Sequence, residues 1–414
     1  MDPALTGRLS RRRLLGSVAG LGIINAAGVG LAGCASNAAG TPKQTVPFYG
    51  AHQAGIITDI QDRLAFAAFD VTTDRREDLV TMLKTWTAAA AAMSVGAMVP
   101  GHSHADAMPP ADTGEAVGLD PGNLTVTVGF GPSLFDGRFG LAARRPAALA
   151  DLPALPGEML DPARSGGDIG IQACANDPQV AFHAVRNLAR LGRGTVVTRW
   201  TQLGFGRTSA TGAEQQTPRN LMGFKDGTRN IRSDDSTALD KHVWVGTEAG
   251  QEWIRGGSYL VARRIRMFVE TWDRDRLSDQ EAVFGRTKYT GAPLSGNTEF
   301  ESPDFAATTA AGEPTIPDNA HIRLAAFENN DGLRILRRGY SFTDGIDART
   351  GTLEAGLFFI SFQKDPAQFI TLQRKLGSQD ALNEYIRHVA SGLFACPQGV
   401  PDASGYWGHA LFEG

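Results

Sequence analysis

The sequence is poor in cysteine and has no excess of positive charge. Its 414 residues include only three cysteines, Cys34, Cys174 and Cys396, which argues against a disulfide framework and a paired-cysteine metal motif. Forty lysine and arginine residues stand against 44 acidic residues, a net charge of −4, so no nucleic-acid partner is expected. With 42% hydrophobic and 20% charged residues, the composition predicts a globular protein of one large or two medium domains.

Long apolar runs are also scarce, and the clearest one follows the arginines of SRRRLLG, residues 10–16. This run is rich in glycine and only weakly hydrophobic, so residues 1–33 are predicted to be a Tat-type export signal, with a transmembrane anchor as the alternative. The run ends in LAGC, which is similar to a bacterial lipobox. We therefore expect an extracytoplasmic or periplasmic protein lipid-anchored at Cys34, with plain cleavage as the alternative, and a linker over residues 34–46.

Beyond the linker, strands alternate with one-sided helices. Leu79, Met82, Leu83 and Trp86 recur at helical spacing. In each half, a strand-like segment, DIGIQACA or EAGLFFISFQ, is followed by a polar turn with an aspartate and then by an amphipathic helix. This repeated order predicts a duplicated α+β unit with antiparallel sheets. The junction falls near residues 211–219, giving modules over 47–215 and 216–414.

The stretch NLMGFKDGTRN, residues 220–230, places an acid before a glycine. An Asp-Gly pair is typical of a turn, and Asp226 could instead be a working acid facing a cleft. His321 follows a Pro-Asp-Asn turn at the start of the strand-like segment HIRLAAF, where its side chain could point into a cleft or serve packing.

A second strand-like segment, LRILRRGYSF, is separated from HIRLAAF by the hairpin signal ENNDG. It carries Arg337 and Arg338 among apolar residues. An arginine that such a strand turns inward must have an anionic or polar partner. The second half thus offers an acid, a histidine and an arginine that could converge.

Four stretches of the sequence point to one protein family. They are PFYGAHQAGI (47–56), NLMGFKDGTRN (220–230), PDNAHIRLA (317–325) and LRRGYSF (336–342). Together they resemble the dye-decolourising (DyP-type) haem peroxidases, in particular the Tat-exported deferrochelatase/peroxidase branch of iron-uptake systems. The resemblance extends from about residue 47 to the C-terminus and implies two ferredoxin-like modules with antiparallel sheets and peripheral helices, with one haem b in the C-terminal module.

The resemblance also implies roles for single residues. His321 would be the axial ligand to haem iron, Asp226 the distal acid, and Arg337, rather than Arg338, the distal arginine. Gly223 and Gly227 would keep side chains away from the porphyrin face.

A carboxylate is expected to accept the proton on the other ring nitrogen of His321. Glu354, at the start of EAGLFFISFQ, is the first candidate and Asp365 the second.

The implied activity is reduction of hydrogen peroxide with oxidation of dyes, phenols or similar one-electron donors. Asp226 would move a proton between the two peroxide oxygens, and since free aspartate titrates near ~3.9 and histidine near ~6.5, an acidic optimum is expected. Removal of iron from haem and non-catalytic haem binding by an exported lipoprotein are the alternatives. Iron-uptake permease components and a second copy of the chain are the expected protein partners.

Overall fold

A computed structural model describes residues 43–101 and 106–414. The predicted export signal, Cys34 and most of the predicted linker lie outside these residues. Within the described part, no helix combines the length and hydropathy needed to cross a membrane.

The described residues form nine strands and eight α-helices, joined in several places by short 3-10 turns. The strands are β1 (Arg63–Val71), β2 (Thr125–Phe130), β3 (Ile169–Ala175), β4 (Val196–Arg207), β5 (Ser258–Met267), β6 (Leu336–Arg337), β7 (Tyr340–Ile346), β8 (Leu353–Gln363) and β9 (Ile386–Cys396). The helices are α1 (Arg76–Ser94), α2 (Pro178–Leu191), α3 (Ser236–His242), α4 (Val269–Trp272), α5 (Leu277–Phe284), α6 (His321–Ala325), α7 (Pro366–Gln379) and α8 (His409–Glu413).

The two halves of the chain arrange their strands in the same order. The first half has the spatial order β2-β3-β1-β4, and the second half has β7-β8-β5-β9, with the short β6 also on β8. All neighbouring pairs are antiparallel. The halves are joined through β4–β7 and through one residue pair, Phe130–Ala395, between β2 and β9. The structure therefore has one continuous sheet that closes on itself, where the sequence predicted separate sheets.

Side-chain alternation along β1 explains how this sheet separates two cores. Ala65, Ala67 and Phe69 face the core that contains the buried residues of α1 and α2. Leu64 and Phe66 lie in the other core, with Phe358 of β8 and Phe394 of β9. Because successive strand residues point to opposite faces, a strand buried on both sides is apolar throughout, as the run LAFAAF is.

Most predicted elements are confirmed. The apolar spacing around Trp86 is confirmed as helix α1. The aspartates that precede α2 and α7 cap those two helices. Asp177 accepts hydrogen bonds from Gln179 N and Val180 N at the start of α2, and Asp365 accepts one from Ala367 N at the start of α7.

The prediction for HIRLAAF was wrong, because His321–Ala325 is helix α6 rather than a strand. Its large apolar residues, Ile322 and Leu324, are two positions apart, which is the strand period, but five residues are too few for periodicity to decide. The hairpin signal ENNDG follows this helix, with Asp331 at φ 54°. The next segment was predicted as one strand and forms two, β6 and β7.

The HQAGI stretch joins the N-terminal segment to both halves. The Gln53 side chain donates to Val128 O and to Pro397 O, both at 2.9 Å, and accepts from Val128 N at 2.9 Å. His52 stacks on Trp244 with ring centroids 3.8 Å apart. These contacts give the stretch a structural role in holding the segment that precedes β1.

Candidate active site

A cavity with a volume of about 240 Å³ lies in the second half of the described part. Asp226, His321 and Arg337 all line it. Its walls are mainly apolar and come from β5, β8, β9, α5 and α7. Among the apolar lining residues are Ile265, Phe284, Leu357, Phe359, Leu372 and Ile386.

The stretch around Asp226 is a turn that presents its acid to the cavity. Asp226 N donates to Pro218 O at 2.9 Å, and Asn220 Nδ2 donates to Asp226 Oδ2 at 3.2 Å. The Asn220 Oδ1 atom accepts from Met222 N and Phe224 N inside the same turn. The turn predicted from the Asp-Gly pair is confirmed, and the same turn directs the Asp226 carboxylate into the cavity.

The two glycines of this turn do not share one role. Gly227 (φ +85°) lines the cavity, and an added Cβ would lie 2.9 Å from Ser209 Cα, so the close approach is to backbone. Gly223 (φ +84°) is not among the cavity-lining residues, and its added Cβ would lie 2.9 Å from Lys288 Cε. Gly223 therefore does not border this cavity, and its left-handed backbone is what requires glycine there.

Arg337 is the arginine that reaches the cavity. Its Nη1 donates to Asp226 Oδ1 at 2.8 Å. The Asn230 side chain holds its main chain from both sides, accepting from Arg337 N at 2.8 Å and donating to Arg337 O at 2.8 Å. Arg338 points into the sheet interior, fully buried, and donates to Thr58 O and to the Gln61 side chain.

His321 begins α6 and is fixed by a carboxylate from the end of α7. Its Nδ1 lies 2.6 Å from Asp380 Oδ2, and Asp380 Oδ1 accepts from Leu382 N at 2.9 Å. Burial disfavours the imidazolium, but the charge and hydrogen bond of Asp380 outweigh it and raise the pKa of His321. With Nδ1 bound to Asp380, Nε2 is the nitrogen left for a ligand, and 27% of the side chain remains accessible.

Neither acid predicted to hold His321 does so. Glu354 pairs with Arg264 at 2.8 Å and Arg266 at 3.1 Å on β5, and Asp365 forms the capping box of α7. Asp380 was missed because it lies 59 residues from His321. In the sequence, Asp380 follows KLGSQ and looks like any aspartate at the end of a helix.

These residues fit a haem on the chemistry of their donors. One imidazole nitrogen is left available for a metal while the other is fixed by an acid, which is the usual arrangement of a metal-bound histidine. The walls are apolar, as a porphyrin ring requires, and an acid and an arginine share the cavity. Together they define the class of haem-dependent peroxidases.

Comparison with known proteins identifies the family. The family model "Dyp-type peroxidase, C-terminal" matches residues 217–401, and "Dyp-type peroxidase, N-terminal" matches residues 53–206. The chain belongs to the DyP-type peroxidase family and is a haem peroxidase of that type. Its antiparallel sheet with flanking helices is the α+β fold of the family.

Curated relatives and solved structures agree with this assignment. The chain is 39% identical to a deferrochelatase of Yersinia pseudotuberculosis, over 98% of this chain and 95% of that protein, and 38% identical to a deferrochelatase of Escherichia coli K12, over 98% and 97%. It is 40% identical to ferric DtpA from Streptomyces lividans, with a TM-score of 0.82 over 90% of this chain and 98% of that one. A DypB variant from Rhodococcus jostii in complex with heme, at 20% identity and a TM-score of 0.61 over 87% and 97% of the two chains, shares the fold.

Proposed function

We propose that the chain would hold one haem b in this cavity through His321 Nε2 as the ligand to its iron, and that it oxidises dyes, phenols or similar one-electron donors. The observation that carries the proposal is the meeting of two pairs in one apolar cavity. The His321–Asp380 pair supplies a ligand, and the Asp226–Arg337 pair supplies an acid and a fixed positive charge.

The Asp380 carboxylate orients the imidazole. By accepting the Nδ1 proton it fixes the tautomer with a lone pair on Nε2 and increases the electron donation of that nitrogen. A bound haem supplies the redox-active iron that takes electrons from donors and delivers them to hydrogen peroxide. The apolar walls keep bulk water away from this centre.

Asp226 and Arg337 act on the peroxide. The Asp226 carboxylate accepts a proton from one peroxide oxygen and returns it to the other, which becomes the leaving water. The Arg337 guanidinium stabilises the negative charge that develops as the oxygen–oxygen bond breaks. Asn220 and Asn230 are positioning residues. Asn220 holds the Asp226 carboxylate, and Asn230 holds the main chain of Arg337.

Absorption spectra of purified protein titrated with hemin, wild type beside His321→Ala, test the proposal. We expect a Soret band in the wild type that changes on addition of peroxide, and a lost or displaced band in the variant. A wild type that forms no haem complex after reconstitution would remove the basis of the assignment.

Iron release from haem is the second candidate function, and the name of the two curated relatives favours it. Its product would be the intact metal-free porphyrin. Fluorescence of protoporphyrin, followed while haem-loaded protein is incubated under reducing and non-reducing conditions, distinguishes this activity from peroxidase turnover. Non-catalytic haem binding is disfavoured by the presence of both Asp226 and Arg337.

We further propose that each half is one copy of a duplicated ferredoxin-like unit, because both have the strand order 2-3-1-4 within a β-α-β-β-α-β succession. The module boundary is placed at residues 215/216.

Export by the Tat pathway and a lipid anchor at Cys34 are proposed from the sequence. Fractionation of cells that express wild type, Arg11→Lys/Arg12→Lys or Cys34→Ser tests both. Contact with iron-uptake permease components and self-association stay predictions of the resemblance.

A further inference from the structure

Five cationic side chains line the cavity, and four of them have a carboxylate partner. Arg286 is the exception: among the described residues, no carboxylate oxygen lies within 4.0 Å of its guanidinium. The four pairs are Lys225–Glu299 (3.1 Å), Arg229–Glu328 (2.5 Å), Arg334–Asp235 (3.7 Å) and Arg337–Asp226 (2.8 Å).

Arg286 is also deeply buried, with 5% of its surface exposed. Its Nη1 donates to Gly291 O at 2.6 Å and to Glu299 O at 2.9 Å, and Nε and Nη2 make no hydrogen bond within residues 43–101 and 106–414. Burial lowers the pKa of Arg286 to about 10, so the group is still charged at neutral pH. A buried charge is unfavourable unless its donors are hydrogen-bonded or paired with an ion of opposite sign.

The acids of the cavity do not fill this role. Asp226 and Asp380 are the carboxylates that line it, and they are engaged by Arg337 and His321, respectively. Neither carboxylate of the described lining is therefore available to Arg286. A ligand that brings a carboxylate into the cavity would supply the missing partner, and the porphyrin of a haem b carries two.

We propose that the Arg286 guanidinium binds a carboxylate of the porphyrin, and this inference rests on the proposed haem binding. The donors that Arg286 leaves free suit a carboxylate, and a planar guanidinium can bind it through two hydrogen bonds. The carbonyl groups of Gly291 and Glu299 hold the other side of the group.

This anchor is independent of the metal. His321 contacts the iron, whereas Arg286 contacts the periphery of the ring, so the metal-free porphyrin is expected to bind as well. The cavity would then retain the tetrapyrrole through a step in which iron leaves.

The test is a set of spectroscopic titrations of haem-free protein with four probes: hemin, protoporphyrin IX and the dimethyl ester of each. Wild type, Arg286→Gln and Arg255→Gln are compared. Arg255 is an exposed arginine paired with Glu252 at 3.0 Å and lies outside the cavity lining, so it controls for the loss of one positive charge.

In the wild type and in Arg255→Gln, the diacid should bind more tightly than the diester. In Arg286→Gln, the ratio of diacid to diester affinity should fall about 10- to 100-fold, as expected for a charge-assisted hydrogen bond. The same fall is expected for the metal-free pair. Equal affinity for diacid and diester in the wild type, or an unchanged ratio in Arg286→Gln, would overturn the inference and leave haem binding intact.

Folding is controlled within each protein, because diester binding shows that the cavity has formed. Should Arg286→Gln lose its cooperative thermal transition, Arg286→Lys replaces it. Arg286→Lys keeps the charge but loses the planar guanidinium, so the ratio of diacid to diester affinity should fall several-fold. An unchanged ratio again contradicts the inference. A wild type that binds none of the four probes refutes the proposed function itself.

Discussion

A histidine pairs with an aspartate in each half of the molecule, and the two pairs have different surroundings. His183, on α2, has its Nε2 atom 2.9 Å from Oδ1 of Asp112, and both side chains are about 6% exposed. This pair lies beside a cavity of about 30 Å³. His321 faces a cavity about eight times larger. The same chemical pair is therefore enclosed by packing in one half and faces an open cavity in the other.

The packing of the two halves explains the difference. In the first half, α1 and α2 lie on the sheet, and large residues such as Leu83 and Trp86 fill the space at 0% exposure. In the second half, short helices α4 to α6 and long loops take the place of α1. The gap between this layer and the sheet is the cavity.

Asp112 shows what a purely structural acid looks like. Burial opposes its charge, but hydrogen bonds from His183, Val99 N and Gly114 N outweigh burial and lower the pKa of Asp112. These bonds attach the loop before β2 to α2. Four substitutions test how far the comparison extends.

Asp226→Asn should have the largest effect. Loss of the proton acceptor is expected to lower kcat/KM for peroxide by about 10²- to 10⁴-fold, while the Soret band and the melting temperature change little. Steady-state kinetics with a dye donor measure the rate. Asp112→Asn is the matched control. It is expected to lower the melting temperature without changing the rate per haem-loaded molecule. A rate loss in Asp112→Asn similar to that in Asp226→Asn would contradict the difference between the two halves.

Arg337→Leu compares two neighbouring arginines. Removal of the charge beside the peroxide is expected to lower kcat/KM by about 10²- to 10³-fold in a protein that still folds. Arg338→Leu should destabilise the fold and leave kcat/KM per folded molecule unchanged. The reason is that it leaves Thr58 O and Gln61 without their buried donor. Equal rate losses in the two variants, per folded molecule, would contradict their assignment to different sides of the sheet.

Asp380→Asn tests the acid behind the ligand. Its effect on haem affinity should be about 10- to 100-fold, as for other groups that orient a metal-bound histidine. A shift of the ferric reduction potential to more positive values should accompany it, since the imidazole becomes a weaker donor. Glu354→Gln is the control, and it should leave haem affinity and reduction potential unchanged, because the partners of Glu354 are Arg264 and Arg266. Unchanged affinity and potential in Asp380→Asn would leave Asp380 with only its capping role.

His388→Gln should have the smallest effect, visible only in acid. Burial, with Arg263 and Arg387 nearby, lowers the pKa of His388 to about 3. Between pH ~6.5 and about 3 the unfolded chain binds a proton at this residue that the folded chain does not. Stability therefore falls with falling pH in that window.

The slope from this residue is at most about 1.4 kcal/mol per pH unit. Denaturant unfolding of the haem-free protein at several pH values should show a shallower dependence in His388→Gln. An identical slope would mean that His388 does not contribute to acid sensitivity.

Local signals in the sequence predicted much of this structure. Strand alternation, helical spacing and capping aspartates identify α1, α2, α7 and most strands, because these depend on neighbours within a few residues. The resemblance brought Asp226, His321 and Arg337 together, and they do line one cavity.

Long-range contacts could not be read in this way. Asp380 and Arg286 are unremarkable in the sequence, since their roles depend on what the fold places beside them. The joining of the two half-sheets through Phe130 and Ala395 leaves no pattern in either strand.

The position of β9 has a consequence for the order of assembly during synthesis. This strand, Ile386–Cys396, pairs with β5 and contacts β2, and Gln53 then docks on Pro397 just beyond it. The ring of strands therefore cannot close until β9 has left the ribosome. Both halves are completed by this one strand, and a nascent chain that stops before β9 would have neither a closed sheet nor a complete cavity.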